Sequence, residues 1–304
     1  MVRQDLKKGG RTVKITVLSD HAADQLRQRE AERQARYDAQ YDAYEQRLRV
    51  RQELIEAGRA ERRAARQQGR YMRAAAAALC VAWHRYRKLA ESRKRPVKES
   101  PGTEDHIWRE GQAGEDALAA YLGRSLAGDW VMVKGYRNPK GEIDAILIGP
   151  GGIFSMEAKH YRGIISCEGD CWTRDKYDSW GNKVLCGEPI ADHGGRGPSR
   201  QINESTDFPE RFMRKTVPLI RICRTVMFTR DDAAFGQLRN VTVDGVYLLS
   251  DFDLGDMLRK SAVALTGPEV ERAEELIRKD HQYWERRLSC APASRPSRSD
   301  RNAA

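Results

Sequence analysis

Apolar and polar positions change their spacing near residue 100, and this change separates two kinds of predicted structure. Residues 13–18 are rich in apolar and β-branched side chains and predict a short strand. From there to about residue 95 the chain is rich in Ala, Arg, Gln and Glu, which favours helix. Apolar positions in this stretch are too sparse for a regular heptad repeat, and Gly58 and Gly69 interrupt them. The pattern predicts an extended charged helix or a helical hairpin rather than a sustained coiled coil.

The second part of the chain begins after residues 96–103, whose two prolines and one glycine predict a linker. Beyond it, segments with helical periodicity alternate with segments of period two, which predicts helices packed on a mixed sheet. The predicted helices span residues 107–124, 199–214 and 269–288. The predicted strands span residues 130–136, 142–148, 153–159, 222–228 and 246–249, with a shorter strand near residue 164.

Two further segments lack such periodicity. Residues 170–200 are rich in Gly, Asp and Lys and predict a long loop. The end of the chain beyond residue 291 is rich in Pro, Ser and Arg and predicts a disordered tail. We therefore expect a basic helical region with its linker, an α/β domain, and a C-terminal helix with a basic tail, at residues 1–98, 104–262 and 263–304.

Charge narrows the choice of partner. Lys and Arg total 54 against 44 Asp and Glu, and the net charge of +10 favours a polyanion, nucleic acid first and a membrane surface second. The N-terminus lacks the apolar core of a secretory signal, and the longest apolar run, residues 74–83, is about half the ~20 residues that a spanning helix needs. We expect a cytoplasmic protein without a membrane span. Its six cysteines are too dispersed for a disulfide framework and are expected to be reduced.

Arg and Lys crowd the helical region on both sides of that apolar run, in residues 61–73 and 85–95. A helix of this kind can lie along the phosphates of nucleic acid. It can also be a solvated arm whose Ala-rich patch joins two copies of the chain into a homodimer, or an amphipathic helix on a membrane surface. The sequence leaves these three alternatives open.

Residues 142–159 (EIDAILIGPGGIFSMEAK) are two apolar runs joined by four Gly and Pro residues, which predicts a β-hairpin with a four-residue loop. If Ile148 lies opposite Ile153, the numbers of paired residues sum to 301. Asp144 then lies opposite Glu157 on one face of the hairpin, because side chains alternate with a period of two. The Cβ atoms of directly opposed residues are ~5 Å apart.

Two carboxylates at this distance, set among apolar neighbours, repel each other and lose hydration unless a proton or a cation lies between them. A hard divalent ion prefers such oxygen ligands. The same register places Glu142 opposite Lys159, whose ammonium can stabilise charge on a phosphate or help to orient and deprotonate a water. This equipment suits phosphodiester hydrolysis, although ordinary cross-strand charge pairs have the same spacing.

Glu115 is a further candidate, on the first helix of the central domain. It shares a helical face with Leu118 and Leu122, so its side chain is predicted to point toward the core, where a lone carboxylate needs a partner. A Glu that merely caps or pairs at the helix N-terminus near Gly111 would have the same sequence pattern.

Several short motifs follow one another through the central domain. They are Gly111-Gln112-Ala113-Gly114-Glu115, Ile143-Asp144, Gly149-Pro150-Gly151-Gly152, Glu157-Ala158-Lys159, Gly163 and Arg200-Gln201. In this order and spacing, over about residues 108–229, they resemble the NERD (nuclease-related domain) branch of the PD-(D/E)xK nuclease superfamily. The resemblance implies a restriction-endonuclease-like mixed sheet flanked by helices. It also implies that Asp144 and Glu157 ligate Mg²⁺ or Mn²⁺, that Lys159 assists the nucleophilic water, and that Glu115 and Gln201 complete the catalytic site.

Trp172 and Trp180 are interleaved with Arg174, Lys176 and Lys183, a pattern that suits gripping a nucleic-acid strand. Arg196 and Arg200 lie in a separate Gly-rich segment that could form a flexible basic loop against DNA. The candidate nucleic-acid contacts are Arg174, Lys176, Lys183, Arg196 and Arg200, with Trp180 available for stacking and Trp172 expected to pack in the core. Cys167, Cys171, Cys186 and His193 lack the paired spacing of a zinc site and are interpreted as small buried or edge residues. His160 points away from the Lys159 face of its strand and is not counted as catalytic.

Together these features favour a metal-dependent nuclease that hydrolyses phosphodiester bonds of nucleic acid, with DNA favoured over RNA. The basic helices would raise the affinity for nucleic acid or assemble dimers. The alternative is a non-catalytic nucleic-acid-binding or scaffolding protein that acts through those helices, with the nuclease-like fold as a platform. A third reading is a signalling or defence component whose nuclease is silent until a partner binds the helical arm. The sequence contains no clear base-reading motif, so it predicts no cleavage specificity.

Overall fold

The computed structural model describes residues 3–4, 13–126, 128–178, 180–192, 194–261 and 263–290. Contacts divide the chain into two compact units, one of residues 24–106 and one of residues 1–23 with 107–304. The disordered tail predicted beyond residue 291 lies outside the described residues. Within the described ranges, no helix has the length and apolar character needed to cross a membrane.

Residues 24–106 contain a helical hairpin. Helix α1 (His21–Gln67) ends just before Gly69, whose φ of +66° favours glycine, and helix α2 (Tyr71–Ser92) returns antiparallel to it. One contact between the two helices is the hydrogen bond that Lys88 donates to the Gln52 side chain at 2.8 Å. The structure thus confirms the hairpin as the form of the predicted charged helical region.

The other unit consists of strands and helices that form two sheets with flanking helices. The strands are β1 (Arg3–Gln4), β2 (Lys14–Val17), β3 (Val131–Asn138), β4 (Gly141–Gly149), β5 (Gly152–Lys159), β6 (Gly163–Glu168), β7 (Cys171–Tyr177), β8 (Lys183–Pro189), β9 (Ile222–Phe228), β10 (Ala233–Arg239) and β11 (Gly245–Leu248). The helices are α3 (Thr103–Ser125), α4 (Pro198–Arg214), α5 (Leu254–Arg259) and α6 (Gly267–Ser289).

The larger sheet has the strand order β1-β2-β3-β4-β5-β9-β11, and the smaller one has the order β10-β6-β7-β8. In the larger sheet β3, β4 and β5 are antiparallel neighbours, whereas β5, β9 and β11 run parallel. Mixed sheets flanked by helices confirm the predicted α/β architecture, which is consistent with a restriction-endonuclease-like fold.

Both faces of the larger sheet are buried, and successive residues of β4 divide between two apolar cores. Ile146 and Ile148 join residues of α4 and α6 in one core, called here the α4/α6 core. Leu147 joins Leu118 and Leu122 of α3 in the other, called the α3 core. A strand covered on both faces needs apolar side chains at successive positions, which explains the near-continuous apolar runs of β4 and β5.

The prediction of a long loop at residues 170–200 was wrong, because this segment contains β7 and β8. Strand β10 was also missed. Both β8 and β10 are edge strands of the smaller sheet and expose most of their residues, so they lack an apolar face that a sequence pattern could reveal. In β7 only Trp172 is fully buried, which leaves no alternation to recognise.

In β3 and β4, the regular alternation of side chains between the two faces of the sheet is interrupted beside the candidate site. Val133 and Tyr136 both pack in the α4/α6 core, as do Ile143 and Ile146. In a regular strand, two residues three apart would point to opposite faces. The side-chain alternation of both strands therefore shifts between these positions, and in β4 the shift falls at Asp144.

Gly135 makes this irregularity possible in β3. Lys134 pairs with Ala145 and Tyr136 pairs with Ile143, so Gly135 lies level with Asp144. Gly135 has a φ of +68°, and a Cβ atom there would lie 2.0 Å from the carbonyl oxygen of Ser19. The Ser19 hydroxyl donates a hydrogen bond to the Gly135 carbonyl at 2.6 Å, so this close approach is part of the packing beside the site.

Replacing Gly135 by Ala is expected to lower the free energy of unfolding by about 3 kcal/mol, because a backbone clash adds to the strain of a positive φ. Gly169→Ala is the matched control, since Gly169 also has a positive φ, +62°, but has no atom within 4 Å of an added Cβ. We expect the control to lose only about 1 kcal/mol. Urea unfolding measures both, and equal losses would contradict the role given to the Ser19 contact.

Candidate active site

Strands β4 and β5 separate at the candidate site. Their ladder follows the predicted register as far as Ala145 opposite Met156. Beyond that pair, β5 continues beside β9 up to Lys159. One carboxylate oxygen of Asp144 accepts a hydrogen bond from the main-chain N–H of Ala158 at 2.6 Å. The Asp144 side chain therefore bonds to the main chain of β5 beyond the last ladder pair of the two strands.

The ladder does not extend to Glu142 and Lys159, so their predicted cross-strand pairing was wrong. Glu142 accepts a hydrogen bond of 3.3 Å from the Ser19 hydroxyl. Lys159 instead forms an ion pair of 2.6 Å with Glu157 on its own strand. The prediction assumed one regular hairpin, whereas the strands diverge before reaching these residues.

Two side chains hold Lys159. Besides the ion pair with Glu157, its Nζ donates a hydrogen bond to Gln201 Oε1 at 2.9 Å. Gln201 lies in the first turn of α4 and donates in turn to the carbonyl of Arg196 at 2.6 Å. The structure thus brings together Lys159, Glu157 and Gln201, three of the candidates that the resemblance named.

Glu115 and Glu142 place further negative charge at the site. Glu115 is half-buried on α3, and burial raises its pKa to about 7, with Glu142 and Asp20 adding to the shift and Lys134 opposing it. Burial likewise raises the pKa of Glu142 to about 7; Asp20 and Glu157 add to this shift. The carboxylates are therefore close enough to oppose one another's ionisation.

The pKa of Asp144 is raised by the same combination of burial and neighbouring carboxylates. Burial, together with the charges of Glu157 and Glu115, holds the pKa of Asp144 well above its ordinary range. Burial alone would lower the pKa of Lys159, but the charges of Glu157 and Asp144 outweigh it and raise the pKa. Lys159 is thus an ammonium ion at neutral pH, and the cluster retains more acidic groups than it has cations to balance them.

This donor set fits a hard divalent cation. Asp144 and Glu157 offer only oxygen ligands, and a cation between carboxylates would relieve the repulsion that raises the pKa of Asp144. In the part of the chain that the structure describes, no three His, Cys, Asp or Glu side chains form a ready-made metal cluster. Mg²⁺ commonly uses one or two carboxylates and takes its other ligands from water and substrate phosphates, so Asp144 and Glu157 could hold such an ion.

The five cations predicted to contact nucleic acid all form ion pairs within the chain. The pairs are Arg174 and Lys176 with Glu188, Lys183 with Asp175, Arg196 with Asp192 and Glu204, and Arg200 with Glu204. A phosphate would have to compete with these carboxylates. Of the two tryptophans singled out, Trp172 is buried in the α4/α6 core as expected, and Trp180 is 87% exposed.

The cysteines and histidines considered in the sequence have other surroundings than a zinc site. Cys167 is buried and donates to the Gly169 carbonyl at 3.0 Å, whereas Cys171 and Cys186 are exposed. His193 lies outside the described residues. His160 Nδ1 is 2.9 Å from the Thr229 hydroxyl, a contact distinct from the cluster around Lys159.

Sequence reasoning missed Ser19 and Asp20. Ser19 hydrogen-bonds to Glu142, and the charge of Asp20 raises the pKa values of Glu115 and Glu142. Both residues follow β2 and reach the site because β2 pairs in parallel with β3. No local pattern reveals a pairing between strands so distant along the chain.

Comparison with known families agrees with this geometry. Residues 110–229 match the family model NERD, described as the nuclease-related domain. Neither the curated proteins nor the solved structures include a match to the chain. The matched residues contain Glu115, Asp144, Glu157, Lys159 and Gln201. Residues 110–229 of this chain are therefore similar to the nuclease-related domain that the NERD family model describes.

Proposed function

We propose that this nuclease-related domain hydrolyses phosphodiester bonds of nucleic acid, DNA in the first place, with a divalent cation held by Asp144 and Glu157. One observation carries the proposal. Lys159 is fixed between Glu157 and Gln201 while Asp144 is anchored to the adjoining main chain, so the two carboxylates and the Lys159 ammonium lie in one half-buried corner of the sheet.

Each residue has a role that follows from its contacts. Asp144 has one oxygen bonded to Ala158, and its carboxylate retains lone pairs for a cation. When bound, Mg²⁺ or Mn²⁺ would supply a Lewis acid that lowers the pKa of a water and balances charge on the departing oxygen. When ionised, Glu115 and Glu142 add negative charge beside the ligands and so strengthen the attraction for a cation.

Lys159 acts as a cation rather than a base in this proposal. In the metal-free chain, the charges of Glu157 and Asp144 raise the pKa of Lys159 and outweigh the opposite effect of burial. A fixed ammonium can stabilise the negative charge that develops on a phosphate in the transition state. Gln201 is the positioning residue, because it holds Nζ of Lys159 and is itself held by the Arg196 carbonyl.

Without metal, Asp144→Asn is expected to stabilise the fold by on the order of 1 kcal/mol at pH 8. Folding raises the pKa of the Asp144 carboxyl, so the folded protein becomes less stable as the pH rises above the ordinary pKa of 3.8. Asn has no proton to lose and avoids this loss. Asn can still accept the Ala158 hydrogen bond. Urea unfolding in EDTA should show the difference at pH 8 and its disappearance toward pH 4. A variant that is less stable at pH 8 would contradict the charge crowding.

The activity itself is tested with purified full-length protein on supercoiled plasmid and on linear single strands at low salt, with Mg²⁺, Mn²⁺ or EDTA. We expect metal-dependent cleavage. Asp144→Asn should abolish it, and Lys159→Met should lower the rate by ~10²–10³-fold, as for other groups that stabilise transition-state charge. Gln201→Ala should cost about tenfold, because Lys159 remains but is less well positioned.

Matched controls are Asp207→Asn and Lys279→Met, which neutralise exposed residues on α4 and α6. Circular dichroism checks that every variant is folded. Binding of DNA without cleavage, unchanged in Asp144→Asn, would reject the hydrolase and favour a binding or scaffolding protein that acts through its basic helices.

A further inference from the structure

Helix α2 has an exposed apolar face that α1 does not cover. Four large side chains on it, Met72, Leu79, Trp83 and Tyr86, are 86, 73, 56 and 64% exposed. With two alanines they form a row whose spacing alternates between four and three residues, as in a heptad repeat. This row, called here the α2 stripe, consists of Met72, Ala76, Leu79, Trp83, Tyr86 and Ala90.

The α2 stripe lies opposite the face that closes the hairpin. Ala74 and Ala77 are buried, and Lys88 bonds to α1. Val81 also faces α1, since its Cγ2 would be 2.7 Å from a Cβ atom added at Gly58. At 3.6 residues per turn, these positions are about half a turn away from the stripe. The stripe is therefore additional to the surface that the hairpin needs for its own packing.

We propose that the α2 stripe joins two copies of this chain through an antiparallel contact between their α2 helices. The stripe is symmetric about residue 81, close to the midpoint of Tyr71–Ser92, so two copies related by a two-fold axis overlap along the whole helix. Residues whose numbers sum to 162 then face each other. The facing pairs are Leu79 with Trp83, Ala76 with Tyr86, and Met72 with Ala90.

Side-chain size favours this antiparallel register. In two of the three pairs a large side chain meets alanine, which lets the surfaces interlock without voids. In a parallel pair each residue would meet its own copy, so Trp83 would meet Trp83 and Ala76 would meet Ala76. Such a contact would be overfilled at one level and empty at another.

The area is sufficient for a specific dimer. Large side chains of this kind expose on the order of 150 Å² each, so the stripe and its flanks can bury roughly 700 Å² per copy and about 1,400 Å² in total. Standard interfaces bury about 1,200–2,000 Å². Two of the six stripe positions are alanine, which favours close packing of two helices. Alanine adds little to lipid binding, because the strength of that binding increases with the apolar area buried.

The test measures the mass of the full-length protein by sedimentation velocity across micromolar concentrations. We expect a dimer whose dissociation constant rises ~100-fold in Leu79→Glu, because two carboxylates are then buried against Trp83 in each dimer. Leu219→Glu is the matched control, since Leu219 is an exposed leucine in the other unit and should leave the mass unchanged. Circular dichroism checks the helix content of both variants.

A charge-swap variant tests the register. In Leu79→Glu/Trp83→Lys the new carboxylate of one copy faces the new ammonium of the other across an antiparallel contact, so the dimer should be partly restored relative to Leu79→Glu. In a parallel contact the same variant would oppose like charges and remain monomeric, which would reject the antiparallel register.

Two results would overturn the proposal as a whole. One is a wild-type protein that stays monomeric at these concentrations, and the other is a dimer that Leu79→Glu leaves intact. If the monomer instead co-sediments with phosphatidylserine vesicles in a manner that Leu79→Glu abolishes, the stripe is a lipid-binding face and the dimer proposal fails. None of these outcomes depends on nuclease activity.

Discussion

The hydrogen bond from the main chain of Ala158 to the Asp144 carboxylate is the interaction on which the candidate site depends. It lies where the β4–β5 ladder ends, just beyond Ala145 and Met156. Because the strands part there, Glu157 and Lys159 pair with each other instead of with β4. Strand β5 stays paired with β9 up to Lys159, so the separation occurs inside the sheet and not at its edge.

The same geometry sets a cost in stability. Both faces of this sheet are covered by helices, so little water reaches the carboxylates, and burial is the first cause of the raised pKa values of Glu115, Glu142 and Asp144. Folding brings these carboxyl groups together although the charge of each one opposes the ionisation of the others. An arrangement of this kind is typical of functional sites, where charge is gathered for a ligand rather than for the fold.

The sequence predicted those parts of the fold that local patterns control. The hairpin register was right from Ile148 opposite Ile153 to Ala145 opposite Met156, because apolar alternation and the turn determine it. It was wrong for the pairing of Glu142 with Lys159, since the β4–β5 ladder ends at Ala145 and Met156, next to the irregularity at Gly135 and Asp144. Sheet pairing also determines the exposed strands β8 and β10 and the position of Ser19 beside Glu142. Such pairing leaves no periodic pattern in the sequence.

The proposed function depends on a divalent cation held by Asp144 and Glu157. Its most direct test is a crystal structure of the protein grown with Mn²⁺, with diffraction data collected at a wavelength where manganese scatters anomalously. We expect an anomalous peak within ligand distance of both Asp144 and Glu157. Electron density for the two side chains with no peak between them, or manganese only at other sites, would contradict a cation site at these carboxylates.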